Sequence, residues 1–266
     1  MRFHKLNLLL MTAICFLLPA CTTSQAAGYQ DRAVEVGGKS YQYKVYAPAD
    51  WTKDKKWPVI LFLHGAGERG DDNSAQTRVG LGPALARQSG LSAIVVLPQC
   101  PRGRWWPETD MQDLALAALN RSIAEFNGDP ERIYMTGISM GGYGTWAIAR
   151  KNPDKFAALA PVCGGVRPPP GFPAQLNTVE ANAESDPYLA VAQKVAKTPV
   201  WVFHGDEDRS VPVSESRKMV EALKSIGGNV RYSEYAGVPH NSWDRAYGEP
   251  DFFLWLLAQH RSSSGK

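Results

Sequence analysis

A set of short, almost wholly apolar runs, separated by helix-length amphipathic stretches, most narrows what this chain can fold into. Pro58–Gly65 (PVILFLHG), Ser92–Gln99 (SAIVVLPQ), Glu131–Ser139 (ERIYMTGIS), Phe156–Gly165 (FAALAPVCGG) and Thr198–Asp206 (TPVWVFHGD) lack polar alternation. A strand with one wet face alternates, whereas a strand covered on both faces does not. Between the runs, Met111–Pro130 carries Leu114, Ala117, Ala118 and Ile123 at helical spacing, with Gly128 as a stop. Met140–Pro153, Ser214–Gly228 and Glu249–His260 read as further helices. Lys39–Pro48 alternates Tyr41, Tyr43 and Val45 with polar residues, as an edge or half-buried strand does, and Asn229–Gly237 is a last strand. Strands alternating with helices dictate an α/β fold: a mostly parallel sheet of about eight strands with helices on both faces. The remaining length fits one domain, residues 31–266. Gly164–Lys197 breaks the alternation. It opens with a rigid, turn-rich GGVRPPPGFP and then offers a helix near Asp186–Ala196, which reads as a small cap near the active site.

The N-terminus reads as an export signal. Arg2 and Lys5 precede an apolar run, Leu6–Leu18, that is short for a membrane span. The following Leu18-Pro19-Ala20-Cys21 resembles a bacterial lipoprotein box. That resemblance implies removal of residues 1–20 and a lipid on Cys21, which tethers a chain to a membrane without a spanning helix; the plainer alternative is secretion after cleavage near Ser24–Ala26. Residues 21–30 then form a tether. Without the signal the chain has 27 basic and 26 acidic residues, so no nucleic-acid partner is indicated. Of the four cysteines, only Cys100 and Cys163 then remain as free side chains. Export permits a disulfide between them, and their spacing matches no zinc pattern.

Ser139 stands between a buried strand and a helix, in Gly137-Ile138-Ser139-Met140-Gly141. About 0.1 chance occurrences of Gly-x-Ser-x-Gly are expected in a chain this rich in glycine, so the placement matters more than the letters. A sharp strand-to-helix turn strains the serine backbone and lifts its hydroxyl clear of the sheet. Such a serine needs a base. His4 falls in the signal, His260 ends the last helix, and His64 and His204 end buried strands, where they can hold loops. His240, directly after the last strand, reaches the edge where Ser139 stands. The base in turn needs a carboxylate. Asp206, Glu207 and Asp208 all follow the strand Val200–Phe203, and position alone does not choose among them; Asp244 is a weaker rival.

Taken together, FLHGAGERGDD, PQCPRGRWW, GISMGG, HGDEDRSVP and GVPHNSW make the chain resemble an α/β-hydrolase from about Tyr41 onward. It is similar to the exported esterase group related to dienelactone hydrolases, feruloyl esterases and the prolyl-oligopeptidase catalytic domain. In such proteins the acid is the fourth residue after the histidine of the HG motif, which implies Asp208. The resemblance also implies an oxyanion hole from the backbone N–H groups of Met140 and Ala66.

The expectation is a serine carboxylic ester hydrolase with Ser139, His240 and Asp208 as its triad. It would act on short-chain or aryl esters of the feruloyl or acetyl type, free or linked to polysaccharide, with no metal or organic cofactor. Trp105 and Trp106 can stack on the substrate or pack in the core. Glu68, Arg69 and Asp71 read as loop-stabilising charges. The competing readings are a peptidase of the prolyl-oligopeptidase type, a phospholipase- or thioesterase-like carboxylesterase, and a non-catalytic surface binding module. Peptidases of that relationship carry a gating domain for which this length has no room, and the intact triad set speaks against the binding module.

Overall fold

The computed structural model describes residues 27–88, 90–179 and 185–261. The expected signal at 1–20 and Cys21 lie outside them. Eight strands form one sheet: β1 Gly28–Val36, β2 Lys39–Ala47, β3 Trp57–Leu63, β4 Ile94–Pro98, β5 Gly128–Ile138, β6 Ala158–Val162, β7 Val200–Gly205 and β8 Val230–Tyr235, in the order β1-β2-β4-β3-β5-β6-β7-β8. β2 runs antiparallel to β1 and β4, and the other pairs are parallel.

The apolar runs are apolar because both faces are covered. Val59, Leu61 and Leu63 of β3 join one core, and Ile60 and Phe62 join the other. The first core is roofed by α2 (Thr109–Glu125), α3 (Met140–Lys151), α4 (Pro187–Val195) and α5 (Ser214–Ser225), through Leu114, Trp146, Val191 and Met219 among others. The second is closed by α1 (Leu81–Arg87) and by α6 (Trp243–Ala246) and α7 (Phe252–Leu257), through Leu81, Ala246, Phe252 and Leu256. Among the described residues, no helix is long and apolar enough to cross a membrane.

Two expectations change, and the Cys100–Cys163 pairing that the sequence leaves open is decided. The last residues of the expected tether, 21–30, are strand instead, since β1 already pairs at Gly28, Tyr29 and Gln30 with Ala47, Tyr46 and Val45. The helical piece of Gly164–Lys197 is not a cap. It is α4, capped by Asp186 Oδ1, which accepts the N–H groups of Tyr188 and Leu189, and its buried Val191, Ala192 and Val195 share a core with Met219 and Val220 of α5. Cys100 and Cys163 are free thiols, because each is buried in a different core on opposite faces of the sheet.

Two local features hold the strand ends that carry the loops. Gly142 of α3 lies so close to the chain after β6 that a Cβ there would sit 2.7 Å from Gly164 Cα. His64, fully buried at the end of β3, receives the Cys100 N–H on Nε2 (2.9 Å), so its proton is on Nδ1 and donates to Gly65 O (2.6 Å). It thus ties the loop after β3 to the loop after β4 in its neutral form. Burial lowers its pKa from 6.5 to about 4.

Gly142→Ala is expected to lower the unfolding free energy by about 1–3 kcal/mol, read by urea denaturation, because backbone rather than a side chain must give way. The lowered pKa of His64 makes the neutral form the folded one. Its contribution is complete above pH ~6.5 and is lost as the pH falls towards 4, by about 3 kcal/mol in all. Denaturation curves between pH 7 and 4 should show that decline, and His64→Gln, which keeps an acceptor for the Cys100 N–H but does not titrate, should flatten it in that window.

Candidate active site

Ser139 has φ 52° and ψ −117°, the left-handed region that non-glycine residues rarely occupy. The turn from β5 into α3 enforces it. Ser139 N–H donates to Val162 O (2.9 Å) in β6, and Ser139 O accepts the N–H groups of Gly142 (2.8 Å) and Tyr143 (3.2 Å). The turn closes only because its neighbours lack side chains. A Cβ on Gly141 would lie 1.9 Å from Leu63 O, and one on Gly137 would lie 2.3 Å from Gly141 O.

His240 stands in the loop between β8 and α6, edge-on to Trp243 at 5.4 Å between ring centres. Its Nε2 is 2.9 Å from Ser139 Oγ and its Nδ1 is 2.6 Å from Asp208 Oδ2. The sequence left three acids after β7, and the fold separates them. Asp206 is exposed and binds the Gly237 N–H (2.7 Å), and Glu207 is exposed. The Asp208 side chain is fully buried, and its Oδ1 accepts the N–H groups of Ser210 and Val211, both at 2.8 Å. Asp244 is exposed, 3.4 Å from Asn241 Nδ2.

Burial works against the Asp208 charge. Hydrogen bonds from His204 and His240, the electrostatic pull of His240 and the Val211 N–H outweigh it, and hold the carboxyl well below the usual carboxylate range. An ionised Asp208 can only accept, so His240 carries its proton on Nδ1. Its Nε2 lone pair therefore faces the serine hydroxyl, ready to take that proton.

His204, read from the sequence only as a loop holder, also reaches the acid. Its Nε2 is 3.0 Å from Val211 O and 3.2 Å from Asp208 Oδ2, and its Nδ1 is 2.7 Å from Ser216 Oγ. Since Val211 O can only accept, the proton is on Nε2. The signal is the four-residue spacing of His204 and Asp208, which sets His204 at the end of β7 and Asp208 in the turn that follows it.

Met140 is the first residue of α3, and Ala66 is the first residue of a 3-10 turn, Ala66–Glu68, that follows β3. Neither N–H has an acceptor within its own helix. Arg69 fixes the second turn by donating from Nε to Ala66 O (2.9 Å), and its guanidinium lies 4.3 Å over the Trp105 ring. The two tryptophans part company. Trp105 is half-buried. Trp106 is fully buried, donates its indole N–H to His64 O (3.0 Å) and packs against Gly144 of α3, so it is a core residue and does not face a substrate.

Comparison with known proteins places the fold and the family. A family model for the dienelactone hydrolase family matches residues 97–247, more than half of the chain. A solved thermostable esterase superposes with a TM-score of 0.74 at 33% identity, covering 88% of this chain and 63% of that one. Feruloyl esterase B of Thermothelomyces thermophilus is 25% identical over 259 residues, 85% of each chain. An uncharacterized secreted protein of Arthroderma benhamiae is 28% identical over 210 residues, 71% of this chain and 22% of that one. The chain therefore spans less than two thirds of both the secreted protein and the thermostable esterase. With an eight-stranded sheet of this order and a family match through the Ser139 turn and His240, the chain belongs to the dienelactone hydrolase family.

Proposed function

We propose that the protein is a serine carboxylic ester hydrolase that works through an acyl-enzyme. The carrying observation is the continuous hydrogen-bonded line from Asp208 through His240 to Ser139, at 2.6 and 2.9 Å. Ser139 Oγ attacks the ester carbonyl carbon while His240 Nε2 takes its proton. Asp208 holds the ring and offsets the imidazolium charge. The N–H groups of Met140 and Ala66 receive the oxyanion. The tetrahedral intermediate collapses, His240 protonates the departing alkoxide, and the acyl group stays on Ser139. Water, deprotonated by the same imidazole, then releases the acid and restores the serine.

Short-chain and aryl esters of the acetyl or feruloyl type fit the half-exposed Trp105 beside the Ala66 turn, and a relative carries the name feruloyl esterase. We also propose export with lipid on Cys21. The support is the charge, apolar-run and Pro19-Ala20-Cys21 pattern, together with a relative named as secreted.

Hydrolysis of p-nitrophenyl acetate should fall by about 10⁴ or more in kcat for Ser139→Ala, and comparably for His240→Gln and Asp208→Asn. Folded Ser139→Ala protein that keeps wild-type turnover would sink the mechanism. A matched ester and amide pair should show hydrolysis of the ester alone; equal turnover of the amide would favour a peptidase. For the anchor, the full chain expressed in bacteria should partition with membranes, and Cys21→Ala should move it to the soluble fraction with the ester kcat/KM unchanged.

A further inference from the structure

We propose that Cys163, Asp208 and His240 bind a thiophilic divalent cation of the zinc–cadmium class, and that its binding switches off Ser139. The inhibitory half rests on the function proposed above; the binding half does not.

The donor set carries the proposal. The sulfur of Cys163, a carboxylate oxygen of Asp208 and an imidazole nitrogen of His240 all lie within 4.8 Å of one another. Thiolate, imidazole and carboxylate together suit a soft or borderline ion far better than magnesium or calcium. Cys163 is fully buried, at the turn after β6, and holds a φ of 40°. That backbone aims the thiol under the Ser139 turn, where the Ser139 N–H and the Ser242 hydroxyl lie beside the sulfur. The fully buried Ser242 hydroxyl is placed to donate to that sulfur once it is a thiolate.

The binding step balances simply. The ion displaces the Cys163 thiol proton to solvent and forms a metal–sulfur bond, with no change of oxidation state. Ligand atoms around a tetrahedral zinc lie about 3–4 Å apart. The Asp208–His240 contact, at 2.6 Å, is a hydrogen bond and must open slightly to admit the ion. Coordination through Nδ1 sends the imidazole proton to Nε2, which then cannot accept from Ser139. Coordination through Nε2 consumes the lone pair directly. Either way the general base is lost. The His240 side chain is 26% exposed while that of Asp208 is fully buried, so the ion enters past the imidazole and inhibition should develop slowly.

The test uses the full chain and cadmium chloride as the probe, with two readouts. Cadmium should produce the ultraviolet charge-transfer band of a cadmium–thiolate bond and a time-dependent loss of p-nitrophenyl acetate hydrolysis, both reversed by a chelator, while magnesium does neither. Cys163→Ser and Cys163→Ala should each raise the half-inhibiting cadmium concentration about tenfold or more, relative to their own uninhibited rates. Each should also remove the share of the band that Cys100→Ser leaves intact. Two variants are used so that one failing to fold leaves the other. Unchanged sensitivity in a folded Cys163 variant, or a band unaltered by its loss, overturns the proposal. A cadmium band that depends on Cys163 in protein without any ester hydrolysis would sink the function proposed above and leave the binding site standing.

Discussion

The rest of the structure depends on one close contact between backbones. Gly141, two residues past Ser139, leaves no space for a Cβ against Leu63 O, the last carbonyl of β3. Gly142 makes a similar approach to Gly164 after β6. The start of α3 is therefore wedged between the ends of the two strands that flank β5. This wedge holds Ser139 at positive φ, which an isolated turn would relax by about 1–3 kcal/mol. It also sets the distance between the serine and the Ala66 turn, because that turn begins three residues after Leu63. The proposed nucleophile and the proposed oxyanion donors are thus placed by the same packing.

A second constraint is electrical. Two imidazoles, His64 and His204, end buried strands, and each has both nitrogens occupied. Their partners assign a proton to one nitrogen of each, so both strand ends are polar yet satisfied inside the sheet. At the end of β7 this arrangement supplies an extra contact to Asp208, beyond the two backbone N–H groups and His240. The acid is fully buried and still ionised because so many donors converge on it. Ionised Asp208 in turn dictates the His240 tautomer, and that tautomer decides whether Ser139 can lose its proton.

How much of this was legible in the sequence depended on how each signal arises. Strands β3, β4, β6 and β7 were readable because coverage on both faces leaves unbroken apolar runs. β1 was not, since GYQDRAVEV is an edge strand with only Val34 buried, and its polar residues look like a tether. α1 is not legible because Leu81–Arg87 is short and contains Gly82 and Pro83, poor helix residues. Ser139 and His240 were legible from their places at strand ends. The acid was not, on position alone: Asp206, Glu207 and Asp208 differ only in which one the turn aims inward, and the N–H groups of Ser210 and Val211 decide that. Trp105 and Trp106 are neighbours of the same type, and only the fold sends one under Arg69 and the other into the core.

The same crowding explains why a thiol lies beneath the proposed triad at all. Once Gly142 and Gly164 bring α3 against the end of β6, the residue before Gly164 must turn sharply to clear the helix. Cys163 does so at positive φ, with its N–H donated to Phe203 O of β7 (2.8 Å). A longer side chain at that position would meet the Ser139 turn on one side and Ser242 on the other. A small residue is therefore required there by packing, but sulfur is not, since serine or alanine is no larger. Packing accounts for the size of residue 163 and leaves its chemistry to be explained by what a thiol can bind between an imidazole and a carboxylate.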